Sequence, residues 1–249
     1  MSDGSLSQDE IDALLSGSGG MDFESSAAAP VGNVDLSGLQ SAINETIDAQ
    51  AANLSSLTSK SVSVDPPTVQ IMDKESFLSM LADEVVLVQM GFTEGVQADH
   101  GYVVSLDGAV SIAGAMMGLD GVEIDDASIN ALQEALSNLA GPVTTAIGNQ
   151  ADTTIMTAPP EGQKSPKAMI NLPGGQFAAV TYTVNMEGAT IQLYEFFGMP
   201  VVQALSASAD PMAGMGQMGQ MGQQMGGQQM GQQMGGQQMG QMGQMGMGQ

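Results

Sequence analysis

Residues 35–67, DLSGLQSAINETIDAQAANLSSLTSKSVSVDPP, decide the fold, because their plan is written a second time further along the chain. Leu36, Leu39, Ile43, Ile47, Leu54 and Leu57 recur at helical spacing and mark one apolar face of a helix over about 35–59. Residues 126–160, DASINALQEALSNLAGPVTTAIGNQADTTIMTAPP, repeat that plan. There Ile129, Leu132, Leu136, Leu139, Val143 and Ile147 form the matching face of a helix over about 126–148. Pro66-Pro67 recurs as Pro159-Pro160, a period of 93 residues, and Glu94-Gly95 recurs as Glu187-Gly188 at the same period. The chain is internally duplicated.

Strands follow each helix. Residues 85–93 and 102–106 are apolar and β-branched, as are 176–186 and 189–197. Each Glu-Gly pair falls between two such runs, where a hairpin turn is expected. A further helix over 109–117 leads into the turn at Gly118–Gly121. This order predicts an α+β fold with pseudo-twofold symmetry, its long helices packed with antiparallel strands. Phe77, Phe92, Phe177, Phe196 and Phe197 are expected in the core.

Composition removes several classes of function. Four basic residues, all lysine, stand against 27 acidic ones, for a net charge of −23. Phosphate-backbone recognition needs a cationic footprint, so nucleic-acid binding is excluded. Adhesion to an anionic membrane is equally disfavoured, and no apolar run reaches the ~18–20 residues of a membrane span. There is no cysteine, and His100 is the sole histidine, so we expect no metal site, disulfide or serine–histidine triad. The polar first residues lack the apolar core expected of a signal peptide. A cytoplasmic protein is expected.

The two ends read differently from the middle. Residues 6–15, LSQDEIDALL, form a short helix written to be bound. Ser7 is an N-cap, Glu10 completes a capping box, and Leu6 can staple against Ile11. Ile11, Leu14 and Leu15 share the apolar face, while Asp9, Glu10 and Asp12 sit near the positive helix N-terminus. Isolated helices below ~12–15 residues are marginal, so this one is expected to order on a partner. At the other end, residues 212–249 repeat Met-Gly-Gln and hold eleven of the 22 methionines, without charge or branched side chains. Such a segment has no means of building a core and reads as a disordered tail. We therefore divide the chain into a binding peptide (1–20), a linker (21–33), a duplicated domain (34–206) and a tail (207–249).

The peptide resembles the N-terminal segment by which the flagellar switch proteins FliM and FliY capture the phosphorylated response regulator CheY. The resemblance implies contacts from Leu6, Ser7, Gln8, Asp9, Glu10, Ile11, Asp12, Ala13, Leu14 and Leu15. The duplicated helices carry a second resemblance. Ser37, Ser41, Asn44 and Pro67 in one copy, and Asn130, Glu134, Ser137 and Pro160 in the other, follow the spacing of the CheC, CheX and FliY phosphatases. In that family the pattern is Asp or Ser, three residues, Glu, two residues, Asn, 22 residues, Pro. The resemblance covers about 34–206 and is closest to FliY. It implies a CheC-like fold and action on phosphorylated CheY, with Mg²⁺ carried by the partner and no cofactor in this chain. It also implies a cytoplasmic place near the flagellar basal body, with switch proteins or the deamidase CheD as further candidate partners. The family's small C-terminal switch-ring domain has no counterpart in these residues.

The spacing has a physical sense of its own. Side chains three apart on a helix share a face, so a carboxylate and a carboxamide there address one partner surface. An aspartyl phosphate is already reactive, and what remains is to place a water in line with phosphorus. The two copies depart from the pattern in complementary ways. The first keeps Asn44 but has Ser41 at the glutamate position. The second keeps Glu134 but has Ser137 at the asparagine position. Glu45 and Asn138 follow one place later, near the same faces, and a shifted pair is a further candidate. Two functions stay open on the sequence: a phosphatase centred on Asn44 and Glu134, or a CheY-phosphate-binding adaptor.

Overall fold

The computed structural model describes residues 34–209. The binding peptide, the linker and nearly all of the tail lie outside the described residues. The first copy contains α1 (Ser37–Thr58), β1 (Val62–Val64), β2 (Thr68–Asp73), α2 (Lys74–Met80), β3 (Glu84–Gln89), β4 (Phe92–Glu94), β5 (His100–Ser105) and α3 (Leu106–Met117). The second contains α4 (Asp126–Gln150), β6 (Met156–Thr157), β7 (Glu161–Pro166), a 3₁₀ turn (Lys167–Met169), β8 (Gln176–Met186), β9 (Ala189–Gly198) and α5 (Met199–Ala209). The 93-residue period carries the first residue of β2, α2 and α3 onto the first residue of β7, the 3₁₀ turn and α5.

One antiparallel sheet of seven strands joins the copies. β1 and β2 share one edge against β8, and the order continues β9, β5, β3, β7. Each copy lends an edge strand to the other: β2 pairs with β8, and β7 pairs with β3. At the centre, β5 and β9 pair so that Tyr102 faces Glu195, and these two stand 93 residues apart. The flanking pairs His100 with Phe197 and Val104 with Leu193 exchange under the same shift. The pseudo-twofold axis therefore passes between β5 and β9.

Apolar side chains cover both faces of this sheet. The larger core lies between the sheet and helices α1, α3, α4 and α5, and includes Leu39, Ile43, Leu54, Leu132, Leu136, Val143 and Ile147. The smaller core lies on the opposite face under α2 and residues 170–172, around Phe77, Phe177 and Phe196. All five expected core phenylalanines are buried. Buried apolar area of this kind stabilises at about 25 cal/mol per Å².

Several observed elements, β1, β2, β6 and α5 among them, lie outside the ranges that the sequence pattern marks. Helix α2 was not expected, because its seven residues are too few to show a helical period; Asp73 caps it by accepting from the Ser76 N–H at 2.8 Å. Strand β7, EGQKSP, has no apolar alternation because it is a sheet edge, and polar side chains with a terminal proline suit an edge. The apolar run at 85–93 is split: β3 ends at Gln89, and β4 leaves the main sheet to pair with β6. Glu187-Gly188 turns the β8–β9 hairpin as expected, with Gly188 at φ +79°. Glu94-Gly95 instead turns a small loop closed by the Phe92–Ala98 bridge. Gly95, at φ +78°, admits no side chain, since a Cβ there would lie 2.4 Å from the Thr154 carbonyl oxygen.

Candidate functional site

Helices α1 and α4 lie antiparallel and carry all the site-pattern residues except the two prolines. Their direction follows from two contacts. Near the start of α1 lies the Gln150 carboxamide from the end of α4, which, in the amide orientation that satisfies both neighbours, donates to Gly38 O at 2.9 Å and accepts from the Ala42 N–H at 3.2 Å. Further along, Asn53 Nδ2 of α1 donates to the Asn138 carbonyl of α4 at 3.0 Å. That second bond has a cause in the sequence. Pro142 lies inside α4 and has no N–H, so the carbonyl four residues earlier, that of Asn138, lacks its helical partner. Asn53 supplies one.

In the first copy Ser37, Ser41, Asn44 and Glu45 are exposed along α1. Asn44 is held from one side only: Gln40 Nε2 donates to Asn44 Oδ1 at 2.9 Å and to the carbonyl oxygen of buried Pro67 at 3.3 Å. The Ser37 N–H donates to Asp35 Oδ1 at 2.9 Å, and the Ser37 hydroxyl first and this backbone bond second hold the Asp35 carboxyl below the usual carboxylate range.

The second copy is arranged alike up to the position where its sequence departs. Asn130, Glu134 and Asn138 are exposed on α4, and Ser137 is half-buried. Gln133 Nε2 donates to Pro160 O at 2.7 Å, the counterpart of the Gln40–Pro67 bond. No carboxamide stands at residue 137 to receive a second bond. Asn138 Nδ2 instead donates back to the Glu134 carbonyl at 2.9 Å, along its own helix. A groove of about 450 Å³ runs beyond Ser137, lined by Gly141, Thr144, Thr145, Asn149 and Thr154 and by no charged side chain.

The two clusters do not merge. With Asn53 beside Asn138, residue 134 stands opposite the last turn of α1, so Asn44 and Glu134 lie about 20 Å apart at about 1.5 Å per residue. Electrostatically the surface has one sign. Neither α1 nor α4 contains a lysine or arginine, whereas Glu45, Asp48, Asp126 and Glu134 are exposed on them. Among the described residues no group of three or more histidine or acidic side chains converges to hold a metal ion.

Sequence reading missed Gln40 and Gln133. The signal was available, since the two glutamines are 93 residues apart and each stands 27 residues before the second proline of its pair.

No family model matches the chain. It is similar to the flagellar motor switch phosphatase FliY of Bacillus subtilis, with 27% identity over 177 residues. That match covers 64% of this chain and 44% of the relative, so the chain spans less than half of the relative's length. Among solved structures, FliY of Thermotoga maritima matches with a TM-score of 0.60 at 21% identity, covering 70% of this chain and 97% of that one. The middle domain of FliM from H. pylori matches with a TM-score of 0.59 at 12% identity, covering 72% and 99%. The structural likeness assigns the α+β fold, and the sequence similarity supports the resemblance to the CheC/CheX/FliY family.

Proposed function

We propose that this chain acts in chemotaxis or flagellar switching by recognising phosphorylated CheY and hydrolysing its aspartyl phosphate. The observation that carries this reading is Asn44: an exposed carboxamide whose oxygen is occupied and whose Nδ2 has no partner among the described residues. A water held by that N–H keeps a lone pair for attack on phosphorus. Its oxygen forms the new P–O bond, the bond to the partner's aspartate breaks, and the carboxylate leaves with the electron pair. The water's protons pass to the departing phosphate and to solvent. Positioning is the main demand of such a reaction, and a Mg²⁺ carried by the partner would neutralise the phosphoryl oxygens.

The uniformly acidic helix pair favours a partner whose contact surface is basic. Glu134 serves docking at the second cluster, and Asn44 with Glu45 or Glu134 with Asn138 forms a shifted alternative pair. Residues 6–15 raise the local concentration of the regulator, which offsets the missing glutamate at residue 41. The proposed setting is the cytoplasm near the flagellar basal body, with switch proteins or CheD as additional partners.

A specific observation favours a second reading, that of an adaptor: neither cluster holds both the glutamate and the asparagine at the pattern positions. The decay of phosphorylated CheY with and without the full chain separates the two. Accelerated decay supports the phosphatase, and tight binding without acceleration assigns the adaptor.

A further inference from the structure

Gln40 and Gln133 occupy equivalent places in the duplication and make equivalent bonds to Pro67 and Pro160. They differ in one respect: Gln40 also donates to an asparagine, and Gln133 has none to reach. We propose that Gln40 is a positioning residue that fixes the orientation of the Asn44 carboxamide, so that Asn44 acts outward as a hydrogen-bond donor. The inference rests on the proposed phosphatase reading for its catalytic consequence, but not for its geometry.

The geometry follows from the proline. A carbonyl oxygen only accepts, so the Gln40 atom facing Pro67 O is the amide nitrogen. The same nitrogen faces Asn44, and the Asn44 atom that meets it must therefore be the acceptor Oδ1. The remaining end of the carboxamide, Nδ2, faces away from Gln40. An asparagine on an exposed helix face otherwise samples both amide orientations, and only one of them presents a donor outward. Pro67 is buried and bound to the loop before β2, so the chain Pro67–Gln40–Asn44 ties the exposed amide to the sheet. Preorganised donors of this kind gain their effect from needing no reorientation at the moment of reaction.

Gln133 supplies the internal control, since it makes the proline bond without an asparagine. Gln40→Met and Gln133→Met keep the stem of the side chain and delete its donors. In the full chain, Gln40→Met is expected to lower kcat for CheY-phosphate hydrolysis about tenfold with KM unchanged, while Gln133→Met leaves both unchanged. The independent readout is the ¹⁵N relaxation of the Asn44 side-chain NH₂, assigned through its loss in Asn44→Ala. Increased mobility of that group in Gln40→Met, and not in Gln133→Met, supports the inference even if the wild type accelerates nothing, which would sink only the phosphatase reading. Unchanged Asn44 mobility in a folded Gln40→Met overturns it. So does an equal loss of kcat in both methionine variants, which would assign the glutamines a purely structural task.

Discussion

Tyr102 and Glu195 face each other in register across β5 and β9, and each is the other's counterpart in the duplication. At the symmetry axis the two copies have diverged into a phenol and a carboxylate, both fully buried. Glu195 Oε1 is 2.8 Å from His100 Nε2, and Tyr182 OH donates to Glu195 Oε2 at 2.5 Å. The His100 ring packs against both Phe92 and Phe197, and its Nδ1 is 3.3 Å from the Met90 carbonyl. That carbonyl only accepts, so Nδ1 carries a hydrogen. The Tyr102 hydroxyl is buried with no partner of ordinary hydrogen-bond geometry. Burial first, and the charge of Glu195 second, push its ionisation well above the usual tyrosine range.

Two tyrosine substitutions should therefore part company. Tyr182→Phe leaves Glu195 with one donor fewer and should cost about 1–3 kcal/mol. Tyr102→Phe removes a hydroxyl that has no partner of ordinary hydrogen-bond geometry and should change stability by less than about 1 kcal/mol. Urea unfolding of both variants checks the pair, and equal losses would contradict the assignment of partners.

His100→Leu alone should cost about 3–5 kcal/mol, because it strands a buried carboxylate. His100→Leu combined with Glu195→Met should recover most of that loss, since an apolar pair needs no proton bookkeeping. A double variant no more stable than the single one would show that packing, and not the charge, dominates at the axis.

Pro142 and Asn53 should be energetically coupled. Asn53→Ala removes the donor to the Asn138 carbonyl and is expected to cost about 1 kcal/mol. In a Pro142→Ala background the restored N–H can serve that carbonyl, so the same substitution should cost less. A double-mutant cycle by thermal unfolding measures the difference. Strict additivity would dissociate the cross-helix bond from the proline.

Acid sensitivity has a local source. Asp125 caps α4, and the Ser128 N–H followed by the Ser128 hydroxyl hold its carboxyl below the usual range. A depressed carboxylate contributes its stability above the ordinary pKa and loses it as pH falls through the lowered value. Asp125→Asn keeps a capping oxygen. Its melting temperature should match wild type at neutral pH and fall less steeply below about pH 4. Parallel profiles for the two proteins would remove Asp125 from the acid transition.

Asn44→Ala should slow CheY dephosphorylation on the order of 10²-fold, the usual cost of one preorganised donor. Glu134→Ala should matter less, because Ser137 stands where its helix needs the amide. Leu14→Asp should weaken CheY binding and leave the melting temperature of the domain unchanged. A catalytic loss in Asn138→Ala, with Asn44→Ala normal, would transfer the activity to the second copy.

By itself the sequence determined the two long helices, the duplication and the spacing of Asn44 to Pro67, because all three are written as periodicities of residue type. It also showed the complementary losses at Ser41 and Ser137. The tertiary structure decided what depends on backbone atoms. The carbonyls of Pro67, Pro160 and Asn138 accept side-chain bonds that leave no mark on the identity of the accepting residue. Strand β7 is likewise held by the ladder to β3 and carries almost no apolar signal of its own. The encounter of Tyr102 with Glu195 required the register of β5 on β9, which sets residues 93 positions apart side by side. A pattern of side chains records which face of an element is buried. The partner that a backbone oxygen or a strand edge finds there depends on where the second copy of the fold is placed.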